Sequence, residues 1–167
     1  MIVSVKEKND ELQKIIMSNI IKNQFCLFIK NRQVGYTTAI SKIINDLIML
    51  RNYTVGIVLH SRHATIEMTD MLSDSWKNNF IIINSPKDCL GRRFDFVFFD
   101  ELNFIKNYKE IFTALNVYSL NECKIVSSIT FDDGNKITSQ DIDNILIYGD
   151  EIGNELIESN IKIEYES

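Results

Sequence analysis

The segment 30–38 carries charged, hydroxyl and glycine residues in the turn between an apolar run and a helical pattern. Gly35 is followed two residues later by the hydroxyl of Thr37, and two cations, Lys30 and Arg32, precede it. Phosphate-binding loops of the form G-x-x-x-x-G-K-[ST] occur in this setting, because backbone N–H groups and the helix N-terminus point at the phosphates. The lysine of such a loop neutralises phosphate charge and its hydroxyl ligates Mg²⁺. The segment is therefore a candidate site for a nucleoside triphosphate.

The segment departs from that loop at two positions. Lys30 stands at the first glycine position and Tyr36 at the lysine position. Because Lys30 lies five residues before Gly35, a loop wrapped around a phosphate could bring its ammonium to the same charge. Arg32 could act on the γ-phosphate as a finger supplied in cis. The alternative is an ordinary strand-to-helix turn in which Gly35 supplies a positive φ.

An acidic pair, Asp100 and Glu101, directly follows the apolar run 95–99. Charges at the carboxyl end of a buried parallel strand lie where open α/β sheets bind ligands. In ATPases with this arrangement the aspartate holds Mg²⁺ through its water shell and the glutamate polarises the attacking water. Neighbouring residues of a strand point to opposite sides, so the two carboxylates can take different tasks. The alternative is a strand that ends in solvent with two acidic residues.

Hydroxyl residues end the last apolar run, at Ser127, Ser128 and Thr130. A strand that carries hydroxyls beside the acidic strand could sense the γ-phosphate and pass hydrolysis on to moving parts. The alternative is that these hydroxyls satisfy nearby backbone groups.

The elements that must position these residues follow from the hydrophobic pattern. Apolar runs at 25–29, 54–59, 80–83, 95–99 and 124–129 alternate with amphipathic segments at 9–22, 37–50, 62–76 and 107–119. Continuous apolar runs are typical of strands covered on both faces. The alternation predicts an α/β domain of three layers, with a mainly parallel sheet flanked by helices. Beyond Thr130 the acidic remainder predicts a loop at 131–135, a helix at about 140–148 capped by Ser139, and an edge strand at 161–165.

Length and charge limit the remaining possibilities. A chain of 167 residues is the length of one domain. The net charge of −5 argues against a protein that coats nucleic acid over its whole surface, and leaves room for one basic strip. No run of eighteen apolar residues and no apolar signal core occur, so no membrane role is predicted. Three scattered cysteines indicate reduced thiols, so we expect a cytoplasmic protein, in the host cytoplasm if the source is viral.

Together these segments resemble the ATPase domain of large terminase subunits, the DNA-packaging motors of tailed phages. Many members carry [ST]-R-Q-x-G-K-[ST]-T, which 32–38 matches except at Tyr36. The lambda-like branch carries K-x-x-R-V-G-Y-S, and the chain matches its spacing at Lys30, Val34, Gly35, Tyr36 and Thr37. The pair 100–101 matches the Walker B carboxylates. The hydroxyls of 127–130 resemble the coupling motif S-[SA]-T-P, although Ile129 interrupts it and the proline is absent.

The resemblance covers about residues 10–130 and implies a three-layer P-loop NTPase of the ASCE/RecA-like type, with an acidic extension at 131–167. It implies ATP and Mg²⁺ as ligands, with Mg²⁺ at Thr37 and Asp100. Lys30 becomes the phosphate-binding lysine, and Glu101, Arg32 and Lys30 become the catalytic residues. The implied nucleotide-binding residues are Lys30, Asn31, Arg32, Gln33, Val34, Gly35, Tyr36, Thr37 and Thr38. Either Gln13 or Gln24 would contact adenine.

The implied partners are double-stranded DNA and other packaging-motor or portal components, in a homo-oligomeric ring. Large terminases also contain an RNase H-like nuclease domain, for which 167 residues leave no room. We therefore expect a truncated chain, a split motor subunit or a reduced relative. Two other functions stay open. One is a hydrolysis-deficient nucleotide-binding module that regulates a phage or host assembly, and the other is a single-stranded nucleic acid-binding protein.

Four further groups of residues have weaker functional interpretations. His60 and His63 form an H-x-x-H pattern without an evident third metal ligand, and Ser61, Arg62 and His63 are better candidates for a loop that touches nucleic acid. Arg92 and Arg93, with Lys87 nearby, could contact phosphates or supply a finger to a neighbouring subunit, although a solvated surface is favoured. Trp76 and Met71 are expected to pack a helix.

Overall fold

The structure is a computed structural model that describes residues 2–5, 12–31, 35–118 and 123–131. Of the predicted loop at 131–135 only Phe131 is described, and it ends a strand instead, because the last strand is longer than predicted. The rest of that loop, the predicted helix at 140–148 and the predicted edge strand at 161–165 lie outside these ranges.

Six strands form one sheet in which every pairing is parallel. They are β1 (Ile2–Val5), β2 (Phe25–Asn31), β3 (Val55–Val58), β4 (Phe80–Ile82), β5 (Phe96–Phe99) and β6 (Lys124–Phe131). The order across the sheet is β1-β2-β6-β5-β3-β4. The five predicted runs are confirmed as β2 to β6, whereas the edge strand β1 was not predicted.

Helices cover both faces of the sheet. They are α1 (Leu12–Lys22), α2 (Tyr36–Arg51), α3 (Arg62–Met71) and α4 (Tyr108–Tyr118), with short 3₁₀ turns at Asp74–Trp76, Pro86–Cys89 and Leu102–Phe104. The first three helices contribute to the core on one face, and α4 contributes to the core on the other. The predicted three-layer α/β arrangement with a parallel sheet is therefore confirmed.

Helix α2 shows why the sequence folds this way locally. Its buried apolar residues recur every three or four positions, which places them on one stripe against the sheet. The helix begins directly after Gly35, whose φ of 83° is left-handed. It ends at Asn52, whose left-handed backbone lets its N–H reach the Ile48 carbonyl. Gly35 therefore supplies the positive φ that the turn hypothesis required.

Alternation along each strand decides which side chains face α2. On β2, Cys26 and Phe28 belong to the core beneath α2, and Phe25 and Leu27 belong to the opposite core. The strand period of two therefore sends Lys30 to the α2 face, in line with Phe28. A polar end to an otherwise apolar strand thus lies at the carboxyl edge, beside the start of α2.

Three smaller expectations have structural outcomes. All three cysteines are free and buried, in agreement with their prediction as unpaired thiols. Trp76 packs partly buried against the core under α2, and Met71 accepts a 3.6 Å hydrogen bond from Ser41, so both have contacts within the fold. Among the helices in the described ranges, none is both long and apolar enough to span a bilayer.

Candidate functional site

The first residue pair of the site joins the start of α2 to the end of β5. The Thr37 hydroxyl donates a hydrogen bond of 2.7 Å to Asp100 Oδ2. The backbone of Asp100 is held by β3, because its N–H donates to the Val58 carbonyl. The hydroxyl of the predicted loop and the first predicted carboxylate are therefore in direct contact.

Strand β6 completes the surroundings of Asp100. It lies between β2 and β5, so its carboxyl end separates the loop strand from the acidic strand. The buried Ser128 hydroxyl donates to Asp100 Oδ1 at 2.9 Å and accepts from the Glu101 backbone N–H at 3.0 Å. Both carboxylate oxygens of Asp100 thus have a hydroxyl donor, one from α2 and one from β6.

Lys30 reaches the same edge from β2. Its side chain is only 6% exposed, and Nζ donates to Thr130 Oγ1 at 2.8 Å. Nζ also lies 4.0 Å from Glu101 Oε1 and 5.3 Å from the centre of the Tyr36 ring. The ammonium therefore lies among a hydroxyl, a carboxylate and an aromatic face, at the same sheet edge as Thr37 and Asp100.

Glu101 has an unusual backbone and several side-chain partners. Its φ of 56° and ψ of 57° are left-handed, which costs a non-glycine residue about 1–2 kcal/mol. The Thr130 hydroxyl donates to Oε1 at 3.1 Å, and His60 Nδ1 lies 3.1 Å from Oε2. Backbone strain of this kind concentrates at functional sites, where the surrounding contacts maintain it.

Two residues of the site were not predicted in their observed roles. His60 was considered only as part of a metal-binding H-x-x-H pattern, yet it contacts Glu101 and its ring lies 5.8 Å from that of Phe104. The side-chain amide of Asn103 makes two hydrogen bonds to the backbone of Thr130. It donates to the carbonyl at 3.2 Å and accepts from the N–H at 3.3 Å. The pairing of β3 with β5 brings His60 to this place, and no local sequence signal reports that pairing.

The predicted site residues do not all meet. Ser127 pairs with Leu27 and Phe99, residues of the core under α4, so its side chain faces away from Asp100 and Lys30. Thr38 is exposed on α2. Asn31 ends β2, and its side chain is outside what the structure describes, as are residues Arg32, Gln33 and Val34 altogether. The residues that do converge are Lys30, Tyr36, Thr37, Asp100, Glu101, Ser128 and Thr130.

Tyr36, at the position of the usual loop lysine, points into the protein. It is 3% exposed, and its ring lies 5.8 Å from that of Phe28. Burial, and secondly the charge of Asp100, raise the pKa of its phenol well above the usual value. The nearby Ser128 hydroxyl lowers the pKa of the phenol, but by less than burial raises it. The phenol oxygen has no hydrogen-bond partner among the described residues. Tyr36 therefore remains a neutral phenol.

The two glutamines considered for adenine contact lie elsewhere. Gln13 donates to Asp46, which is ten residues past Tyr36 and thus about 15 Å along α2 from the site. Gln24 precedes Phe25 at the amino end of β2, the end opposite Lys30. The structure therefore places neither amide beside the candidate site.

The other basic residues and the second histidine that the sequence analysis considered lie on the surface. Ser61 caps α3 by accepting from the Ala64 N–H, and the following Arg62 and His63 are exposed. Arg92 and Arg93 are exposed near the amino end of β5, far from Asp100 at its other end. Within the described ranges, no group of three histidine, cysteine or acidic side chains is placed to hold a metal ion.

The donor set at Thr37 and Asp100 nevertheless suits one class of cation. Mg²⁺ prefers oxygen ligands and is commonly bound by one or two protein oxygens together with substrate phosphates. A hydroxyl and a carboxylate oxygen 2.7 Å apart, at the start of a helix, provide such a pair. The residues therefore fit a magnesium–phosphate ligand and do not fit a cage built from protein ligands alone.

No protein-family model matches the chain, and no curated protein matches its sequence.

Proposed function

We propose that this chain binds ATP with Mg²⁺ at the carboxyl edge of its sheet and hydrolyses it. The observation that carries the proposal is the 2.7 Å contact between Thr37 and Asp100, because a loop hydroxyl facing a strand-end carboxylate is the Mg²⁺-holding pair of P-loop ATPases. The turn at Gly35 and the parallel three-layer sheet are compatible with that fold, and we assign the chain to the ASCE/RecA-like P-loop class as part of the proposal.

Most of the converging residues have a role in this proposal. Thr37 and Asp100 hold Mg²⁺, which when bound neutralises phosphate charge. Lys30 is the phosphate-binding lysine, since its ammonium reaches the same edge from the other end of the loop. Glu101 accepts a hydrogen bond from the water that attacks the γ-phosphate, and the contacts from Thr130 and His60 orient its carboxylate. Arg32, outside the described residues, is the proposed finger in cis.

The biological setting is proposed from the resemblance to terminase ATPase domains. In that setting hydrolysis drives the movement of double-stranded DNA, and the chain works with portal or other motor components in a homo-oligomeric ring. Ser128 and Thr130 support the coupling of hydrolysis to movement, because both residues lie on β6 and both hydrogen-bond the acidic pair. The net charge of −5 favours DNA contact through a local surface or a partner.

Phosphate release from MgATP, with and without double-stranded DNA, tests hydrolysis. We expect release by the wild-type chain and a loss of about 10²- to 10⁴-fold in Glu101→Gln, with nucleotide binding retained. Glu67→Gln, the same change on the exposed side of α3, is the matched control and should release phosphate at the wild-type rate. Equal rates for wild type and Glu101→Gln would refute the role of Glu101.

A second candidate function is nucleotide binding without hydrolysis, in a regulatory module. The burial of Tyr36 at the usual lysine position favours it, because that position cannot deliver a cation to the phosphates. Calorimetric binding of MgATP without phosphate release, in the presence or absence of DNA, would support this function over the first.

A further inference from the structure

We propose that Tyr36 is a positioning residue: its aromatic ring holds the Lys30 ammonium in place through a cation–π contact, and we call this ring the seat of the ammonium. The phenol hydroxyl of Tyr36 is dispensable for this role. The proposal concerns how the lysine is held, and its consequence for nucleotide affinity rests on the proposed function. It explains why an aromatic residue suits the position that a lysine occupies in ordinary phosphate loops.

Two side chains of β2 lie against the Tyr36 ring. Phe28 lies on the same face of β2 as Lys30 and contacts the Tyr36 ring at 5.8 Å between centres. Lys30 Nζ lies over that ring, 5.3 Å from its centre, within the range of a cation–π interaction. The Tyr36 ring therefore contacts both an apolar residue of β2 and the Lys30 ammonium.

A buried ammonium is stabilised by contact with an aromatic ring. Lys30 is 6% exposed and loses most of its hydration, while an ammonium has three N–H donors to satisfy. Thr130 Oγ1 accepts one at 2.8 Å, and Glu101 Oε1, at 4.0 Å, adds charge without a hydrogen bond. A desolvated ammonium gains most from an aromatic face, so the ring supplies attraction that an aliphatic side chain of similar size would not.

The hydroxyl of Tyr36 has a different status from its ring. It is buried and has no hydrogen-bond partner within the part of the chain that the structure describes. Removing an unpartnered buried hydroxyl leaves no other group unsatisfied, so its loss should be nearly neutral. Tyr36→Phe therefore keeps the seat, whereas Tyr36→Leu keeps apolar volume and removes the aromatic face.

The experiment compares wild type, Tyr36→Phe and Tyr36→Leu by two measurements. In NMR spectra with ¹³C-labelled lysine, the ring should shift the ε-methylene protons of Lys30 upfield in wild type and Tyr36→Phe, and Lys30→Met assigns the signal by removing it. Calorimetric titration with MgATP should give equal affinities for wild type and Tyr36→Phe and a loss of about 10- to 30-fold for Tyr36→Leu.

The two measurements separate this inference from the proposed function. Absence of the upfield signal in wild type overturns the seat, and that result does not depend on Tyr36→Leu being able to fold. Equal MgATP affinity in Tyr36→Leu and wild type also overturns it, while leaving nucleotide binding intact. If no variant binds MgATP but the signal is present in wild type and Tyr36→Phe and lost in Tyr36→Leu, the seat stands and the proposed function fails.

Discussion

The Thr37 hydroxyl and the Asp100 carboxylate, 63 residues apart in the chain, meet at 2.7 Å. Their contact ties the first turn of α2 to the end of β5 across the intervening strand β6. A threonine in a helix could satisfy its hydroxyl on its own backbone, as Thr65 and Thr69 do in α3. Thr37 instead donates across the sheet edge, to a residue that also accepts from Ser128.

Replacement of Thr37 tests the structural part of this relationship. Thr37→Val removes the donor and leaves a nearly buried carboxylate with one hydroxyl partner fewer, so we expect the free energy of unfolding to fall by about 1–3 kcal/mol. Thr37→Ser keeps the donor and should lose less than half as much. Urea denaturation measures both values. A loss for the serine variant as large as that for the valine variant would show that the hydroxyl contributes nothing.

The adjacent serines of β6 provide a matched pair. Both are fully buried, but Ser128 bonds Asp100 and the Glu101 backbone, whereas the Ser127 hydroxyl has no hydrogen-bond partner among the described residues. We expect Ser128→Ala to lower the free energy of unfolding by about 1–3 kcal/mol, and Ser127→Ala to be neutral or stabilising. Thermal and urea unfolding compare the two. Equal losses would contradict the assignment of the two hydroxyls to different environments.

The sequence predicts the layers of this fold better than it predicts the site. Continuous apolar runs identified β2 to β6, because strands of a parallel sheet that is covered on both faces are mostly apolar. Strand β1 is only four residues long and lies at the edge of the sheet, so its apolar run was too short to be identified as a strand. Alternation along β6 separates Ser127 from Ser128 and Thr130, which the resemblance had grouped together.

The contacts around Glu101 could not be derived from local patterns. They depend on strand order, which places β6 between β2 and β5, and β3 on the other side of β5. Only that order brings Thr130 and His60 to opposite oxygens of one carboxylate. Tyr36 was identified as a departure from the usual loop, but its burial under Lys30 was not predicted. That burial depends on which residue begins α2 and on which face of β2 carries Lys30, and the hydrophobic pattern alone determines neither.

Gly35 tests the turn that begins α2. An added Cβ would meet no atom of the described residues within 4 Å, so we attribute the cost of a side chain there to the φ of 83°. We expect Gly35→Ala to lower the free energy of unfolding by about 1–2 kcal/mol. Gly35→Asn should cost less, because asparagine tolerates the left-handed region better. Urea denaturation checks this order, and a neutral Gly35→Ala would contradict the left-handed turn.

The buried thiols give a pH dependence with a defined sign. Burial raises the pKa of Cys26 to about 11 and that of Cys123 to about 12, from 9.0. The folded chain therefore keeps protons that the unfolded chain has lost above pH 9. Their contribution to stability is complete below about pH 9 and is lost as pH rises towards 11–12, by up to about 1.4 kcal/mol per pH unit for each thiol.

Urea unfolding at pH 8 and pH 10 measures this contribution. A Cys26→Ala/Cys123→Ala variant should lose less stability between the two pH values than wild type does, because its unfolded state has two fewer thiols to ionise. The comparison within each protein removes the effect of the smaller side chains, which is the same at both pH values. Identical losses in both proteins would show that the two thiols are not protected by burial.

The most direct test of the nucleotide site is calorimetric titration of the wild-type chain with MgATP, beside Lys30→Met and the exposed control Lys42→Met. We predict saturable binding by wild type and Lys42→Met, and an affinity about 10- to 100-fold lower for Lys30→Met, which loses a charge-assisted contact to phosphate. No binding by wild type at millimolar MgATP would contradict the nucleotide site itself. Equal affinity in Lys30→Met would contradict the assignment of Lys30 as its phosphate-binding lysine.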